Sequence, residues 1–259
     1  MKKLDSLVVI KLGGKTLTKE KKKNLLLQRI VELSRRTPVV LVHGGGPEIT
    51  QYLEKMGIKS RFVQGLRYTD SKTMEFVEML LSGKINKDLV NKINLLGERS
   101  QQPIKAVGLS GKDAGMVIAG KVKGLGLVGK PKKINTDLLK ILLKEKIIPV
   151  ISSVGVDPKG VTLNINADML ASALAVSLGA PMLIFLTDKP GILKTVNGKL
   201  VTIKVIHLKE IDKLVKEKIV SEGMIPKLKS AGESIKKGVG EVIITDGKEA
   251  LNSGTEVIR

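Results

Sequence analysis

The chain contains no cysteine and no tryptophan among its 259 residues, and its aromatic side chains amount to two tyrosines and three phenylalanines. Without cysteine there is no disulfide framework, no thiolate metal site and no thiol nucleophile. The shortage of aromatics removes the stacking platforms that hold single-stranded nucleic acid. The two histidines, His43 and His207, have no partner histidine at ligand spacing, and both read as structural residues. Neither HEXXH nor GXSXG occurs, and no metal site is expected. No segment approaches the roughly 20 apolar residues of a membrane span. The apolar stretch near the N-terminus is interrupted by Asp5, Ser6 and Lys11, too soon for a secretory signal, so a cytoplasmic protein is expected.

Acidic residues are also in short supply: 25 against 45 basic ones, for a formal charge of +20. Such a field suits nucleic acid, acidic lipid or an acidic protein partner. The basic residues are overwhelmingly lysine, whereas base readout and bidentate phosphate contacts favour arginine. They are spread along the chain in short clusters such as KEKKK from Lys19 to Lys23. We therefore read the charge as lysine on solvated faces, with nucleic acid disfavoured.

What is present is a regular alternation of short apolar runs and amphipathic segments. Strands are predicted at Leu7 to Lys11, Val39 to His43, Ile104 to Leu109, Ile147 to Ser152, Met182 to Leu186 and Val242 to Thr245. Helices are predicted from Lys19 to Ser34, Pro47 to Met56, Thr136 to Lys144, after Ala167, around Lys209 to Glu217 and from Pro226 to Lys237. A long helix is predicted from Ser71 to Leu96. This rhythm implies an α/β fold, a mainly parallel sheet with helices on both faces and ligands at the carboxyl ends of its strands.

Two motifs mislead. LGGKT at Leu12 ends like a P-loop, but that motif needs a glycine where Val9 stands. GLGLVG at Gly124 matches the dinucleotide fingerprint, yet Lys-Pro-Lys-Lys follows where a helix should open, and a β-hairpin is expected instead. Four glycine-bearing strand ends remain: KLGG at Lys11, HGGG at His43, GLSG at Gly108 and TDKPG at Thr187. Bare peptide N–H groups at such ends, close before helices, make anion sites, and phosphate is the expected ligand. Lys11, Lys227 and Asp168 stand where charge would be wanted, although each also has a reading as an ordinary surface residue.

The segments KLGG, VHGGGPEI, GLRYTD, GLSGKDAG, LNINAD, LTDKPGIL and EGMIPK occur in the order found in the amino acid kinase family, which the chain resembles over essentially its whole length. That resemblance implies a three-layer αβα sandwich of two lobes, residues 1–173 binding the amino acid and dimerising and residues 174–259 binding ATP. It implies transfer of the γ-phosphoryl of ATP, with Mg²⁺ carried by the phosphates, to the side-chain carboxylate of N-acetyl-L-glutamate in arginine biosynthesis. By similarity, Lys11 and Lys227 would neutralise the transferring group and Asp168 would hold both lysines. Gly14 and Gly45 would offer N–H groups to the phosphoryl oxygens. Gly45, Gly46, Arg67 and Asn164 would bind the amino acid, with Arg67 gripping its α-carboxylate. Thr187, Asp188, Lys189, Pro190, Gly191 and Ile192, with Ile219, Val220 and Ser221, would contact the nucleotide. Lys189 and Pro190 depart from the family's usual residues, as does Ser221-Glu222 before Gly223. Arginine-inhibited members carry an extra N-terminal helix that builds a hexamer. This chain begins almost at its first strand, so a homodimer paired through the helix after Asp70, uninhibited by arginine, is expected. Two alternatives stand beside this reading: a kinase of aminoadipate or glutamate linked to an acidic carrier protein, and a basic RNA-binding protein on a kinase scaffold.

Overall fold

The computed structural model describes residues 7–98, 103–196, 198–220 and 224–259. An eight-stranded sheet runs through the molecule in the order β14 (Val205–His207), β16 (Thr255–Ile258), β15 (Glu241–Thr245), β11 (Met182–Leu186), β1 (Val8–Leu12), β2 (Val39–His43), β8 (Ile147–Ser152) and β5 (Lys105–Ser110). All neighbours are parallel except β15 and β16. Strands from both halves of the chain share this one sheet, with β1 pairing β2 on one side and β11 on the other.

The residues of these strands divide by parity. Val9, Val40, Val42, Leu183 and Phe185 face one apolar core, which also holds Leu139 and Leu143 of α6 (Asp137–Lys144), Leu170, Leu174 and Ala175 of α7 (Ala167–Leu178), and Leu228 and Ile235 of α9 (Ile225–Lys236). Val8, Ile10, Leu41 and Ile184 face a second core. There they meet Leu26 and Ile30 of α2 (Glu20–Ser34), Leu53 of α3 (Gly46–Lys55), Val77 of α4 (Ser71–Glu78) and Ile93 of α5 (Asn86–Glu98). Successive strand residues point to opposite faces, so continuous apolar runs feed two helical layers and make the expected three-layer sandwich. The same parity places Lys11 on the Val9 side, toward α7.

Several features were not foreseen, among them strands β14 and β16 of the main sheet. The segment predicted as one long helix contains a seven-residue π-helical stretch, Met79–Ile85, between α4 and α5. Its extra residue per turn leaves the three- and four-residue apolar spacing nearly intact, so the pattern conceals it. Four short strands, β6 (Val117–Lys121), β7 (Val128–Ile134), β9 (Val154–Val156) and β10 (Thr162–Ile165), close into a small barrel beyond the end of the sheet. The expected hairpin at GLGLVG is the antiparallel pair β6–β7, with Gly124 and Gly126 at positive φ in its turn. Two smaller hairpins, β3 (Phe62–Val63) with β4 (Leu66–Arg67) and β12 (Leu193–Val196) with β13 (Lys199–Thr202), complete the strands. The short helices are α1 (Gly14–Leu17) and α8 (Ile211–Lys216). No helix among the described residues is long and apolar enough to cross a membrane.

Candidate active site

The carboxyl ends of β1, β2, β8 and β11 open into a cleft of about 560 Å³. From one wall, β1 delivers Lys11, which is 6% exposed, with Gly13 and Gly14 immediately after it. From the opposite side, α7 delivers Asp168 in its first turn. Asn166 caps that helix: its side-chain oxygen accepts from the N–H groups of Asp168 and Met169 at 2.9 and 3.1 Å. Packing of α9 on α7 brings Lys227, in the first turn of α9, to the same carboxylate. Lys11 Nζ lies 2.8 Å from Asp168 Oδ1, and Lys227 Nζ 2.7 Å from Asp168 Oδ2.

One buried anion thus sits between two cations, and their protonation follows from the competing forces. Burial opposes ionisation of Asp168, but Lys11 and Lys227 together outweigh it and hold the carboxyl far below its ordinary range. For Lys11 burial is the largest influence and lowers its pKa; Asp168 opposes the fall and Lys227 adds to it. With both lysines protonated the cluster presents a net positive charge to the cleft.

The HGGG segment lies opposite. Gly45 leaves no room for a side chain, because a Cβ there would overlap Ile85 and Leu81 of the π segment. A Cβ on Gly14 would run into Pro47. At Gly46 nothing lies within 4 Å of that position, so its bareness serves the open cleft and not the packing. The glycines at the head of β2 therefore answer to two different demands.

Arg67, at the end of β4, is buried to 6% exposure and lines the same cleft. Its guanidinium donates to Ser60 Oγ, to Gly46 O at 3.0 Å and to Thr50 Oγ1 at 2.6 Å, and stacks 4.7 Å from the Phe62 ring centroid. Burial lowers its pKa from the ordinary arginine value, yet a guanidinium stays charged in proteins. All of its hydrogen-bond acceptors among the described residues are uncharged. A buried cation without an anion is costly, and the open cleft is where one can arrive. Asn164, on β10, lines the cleft too, its amide donating to the buried Thr69 Oγ1 at 3.1 Å.

The cleft thus gathers Lys11, Gly14, Gly45, Gly46, Arg67, Asn164, Asp168, Thr187, Asp188 and Lys227. It does not gather every residue of the expected nucleotide segments. Lys189 and Pro190 are exposed outside its lining, and Gly191 is packed against Thr202 and Thr255. Ile192 and Val220 belong to the core, and Ile219 is half-buried beside Val220, outside the lining. Ser221, with Glu222 and Gly223, lies outside the described residues. Several contributors were not singled out from the sequence: Thr50 and Ser60, which aim Arg67; Asn166, the cap; and Lys22 of α2, whose Nζ donates to Thr187 O at 3.1 Å and lies 3.9 Å from Asp246. For Asn166 a signal existed, since an amide two residues before an acidic first turn is a capping pattern.

Among the described residues no group of three or more histidine, aspartate or glutamate side chains is placed to hold a metal ion.

Comparison with known proteins identifies relatives of the chain. Residues 6–246 match the sequence model of the amino acid kinase family. The acetylglutamate kinase of Endomicrobium trichonymphae is 44% identical over 244 residues, covering 94% of each chain. That of Clostridioides difficile strain 630 is 44% identical over 253 residues, covering 96% of this chain and 86% of the relative. The crystal structure of smu.665 from Streptococcus mutans UA159 superposes with a TM-score of 0.85 at 30% identity, over 97% of this chain and 98% of that one.

Proposed function

Because the chain belongs to the amino acid kinase family, we propose that it transfers the γ-phosphoryl group of ATP to the side-chain carboxylate of N-acetyl-L-glutamate, forming an acyl phosphate. The observation that carries this reading is the Lys11–Asp168–Lys227 cluster facing bare peptide groups across one cleft. A carboxylate nucleophile with a pKa of about 4.3 is already ionised at neutral pH, so no general base is needed. What opposes reaction is the approach of an anion to a polyanion, and positioned positive charge removes that obstacle.

In this account Lys11 and Lys227 neutralise the transferring phosphoryl oxygens, and Asp168 aims both ammonium groups. The N–H groups of Gly14 and Gly45 meet the oxygens from the far side. Arg67, lacking a carboxylate partner of its own, takes the α-carboxylate of the amino acid, with Asn164 and Gly46 beside it. Thr187 and Asp188 contribute to the nucleotide side. The bare glycine backbone and paired lysines fit a triphosphate. Magnesium carried on ATP would screen the charge of its phosphates. The two lobes, 1–173 and 174–259, would meet across this cleft, and homodimerisation through α4–α5 completes the reading.

A coupled ADP-release assay over glutamate, N-acetyl-L-glutamate, aspartate, N-acetylaspartate and carrier-linked aminoadipate tests it. Turnover is expected with N-acetyl-L-glutamate above all others. Turnover confined to the carrier-linked substrate, or RNA binding without ATP turnover, would overturn it.

A further inference from the structure

His43 closes β2 directly before the three glycines and is fully buried. Its Nδ1 lies 3.1 Å from the carbonyl oxygen of Gly44, and its Nε2 lies 3.1 Å from Nδ2 of Asn86. The orientation of the Asn86 amide is settled by a third partner, because Nδ2 also donates to Val150 O at 2.8 Å. An amide nitrogen therefore faces His43, and Nε2 has to accept. The imidazole proton then resides on Nδ1, where it donates to Gly44 O. Burial pushes the ring down to about 4, so it is neutral at physiological pH.

The consequence falls on the next peptide. No cis peptide bonds occur among the described residues, and in a planar trans peptide the N–H points opposite to the C=O. Gripping Gly44 O from the buried side turns the Gly45 N–H away from the ring. That N–H has no acceptor among the described residues, and Gly45 lines the cleft. Ile85 and Leu81 press on Gly45 from the π segment, and the same segment delivers Asn86 as the first residue of α5. Gly108 of β5 makes room for it, since a Cβ there would overlap Asn86 Oδ1. Helix, two strand ends and glycine loop are joined through one buried pair.

We propose that Asn86 and His43 form a positioning device: Asn86 selects the Nδ1–H tautomer of His43, and that proton holds the Gly44–Gly45 peptide with its N–H turned toward an incoming phosphoryl oxygen. The inference rests on the phosphoryl-transfer reading only for the identity of the anion. Direct loss of one oxyanion donor costs about 10²–10³ in kcat, and loss of its support should cost less. His43→Leu and Asn86→Leu are expected to lower kcat by about 10–100-fold while leaving both KM values within about threefold. His43→Asn, whose amide can still donate to Gly44 O, is expected to recover most of that loss.

Two nuclear magnetic resonance measurements on the full chain are independent of turnover. In ¹⁵N-histidine spectra at neutral pH, His43 is expected to carry its proton on Nδ1. In ¹⁵N-glycine spectra, the Gly45 amide is expected to shift on titration with inorganic phosphate in the wild type and not in His43→Leu. A wild-type protein without turnover but with both spectral results would sink the kinase reading and keep this one. An Nε2–H tautomer, a Gly45 amide indifferent to phosphate in the wild type, or equal kcat losses in folded His43→Asn and His43→Leu would overturn it.

Discussion

Lys11 is held in a place that opposes its own charge, and its ionisation is where the chemistry can be read most simply. Only the protonated ammonium can neutralise phosphate, and burial lowers the pKa at which that proton leaves. The alkaline limb of kcat/KM, which reports the free enzyme, is therefore expected below the ordinary lysine value of about 10.4. Lys11→Arg, which does not titrate there, should lack that limb in whatever activity it retains. Lys11→Ala and Lys227→Ala should each lower kcat by about 10²–10⁴-fold with the fold intact, measured by ADP release. Asp168 behaves in the opposite sense. Its folded pKa is depressed, so the stability it contributes is present above about pH 4 and is lost as acid drives protons onto the folded carboxylate. Arg67→Ala should raise KM for the amino acid by at least about tenfold and leave KM for ATP within about twofold, because its buried guanidinium has only neutral acceptors until substrate supplies an anion. Equal changes in both KM values would remove Arg67 from the substrate side.

At the scale of elements, what the sequence discloses depends on how far the relevant force extends along the chain. The buried parallel strands were legible because both faces are apolar over five or six residues, as at Val39–His43. Of the barrel strands only the β6–β7 hairpin was expected: β9 and β10 are three and four residues long, too short for a periodic signal. Lys11 and Lys227 were legible through the glycine-bearing segments KLGG and EGMIPK and Asp168 through LNINAD, whereas Thr50 and Ser60 carry no local mark of the arginine they hold. Ile192 and Val220 were assigned to nucleotide-contacting segments, but their side chains serve the core. The π segment offers a direct test. Deleting Gly83 would rotate α5 relative to α4 by about 100°, carrying Asn86 away from His43 and Ile85 from Gly45. Activity should fall by more than about 100-fold, with a lower melting temperature. Gly83→Ala, whose added methyl meets nothing within 4 Å, should instead stabilise by about 0.5–1 kcal/mol, measured by urea unfolding.

For the whole molecule, the charge of +20 and the exposed apolar side chains make different demands. Many lysines stand on solvated faces, Lys194 among them, and Lys130, Lys132, Lys229 and Lys237 are exposed around one surface cavity. Met79 and Leu95, on the helical stretch from α4 to α5, are 57% and 52% exposed, and the proposed homodimer would cover this stretch. Light scattering should give twice the chain mass of 27.9 kDa, and Met79→Glu should shift it toward the single chain. A monomeric wild type across micromolar concentrations would contradict that assembly.

The central claim is that a carboxylate takes the phosphoryl group between Lys11 and Lys227. Hydroxylamine captures acyl phosphates as hydroxamates, so the decisive measurement is hydroxamate formed per ADP released from ATP and N-acetyl-L-glutamate. The account predicts N-acetylglutamyl hydroxamate in about one-to-one ratio with ADP, falling together by at least about 100-fold in Lys227→Ala. ADP released without hydroxamate, or hydroxamate formed undiminished by the Lys227→Ala enzyme, would contradict it.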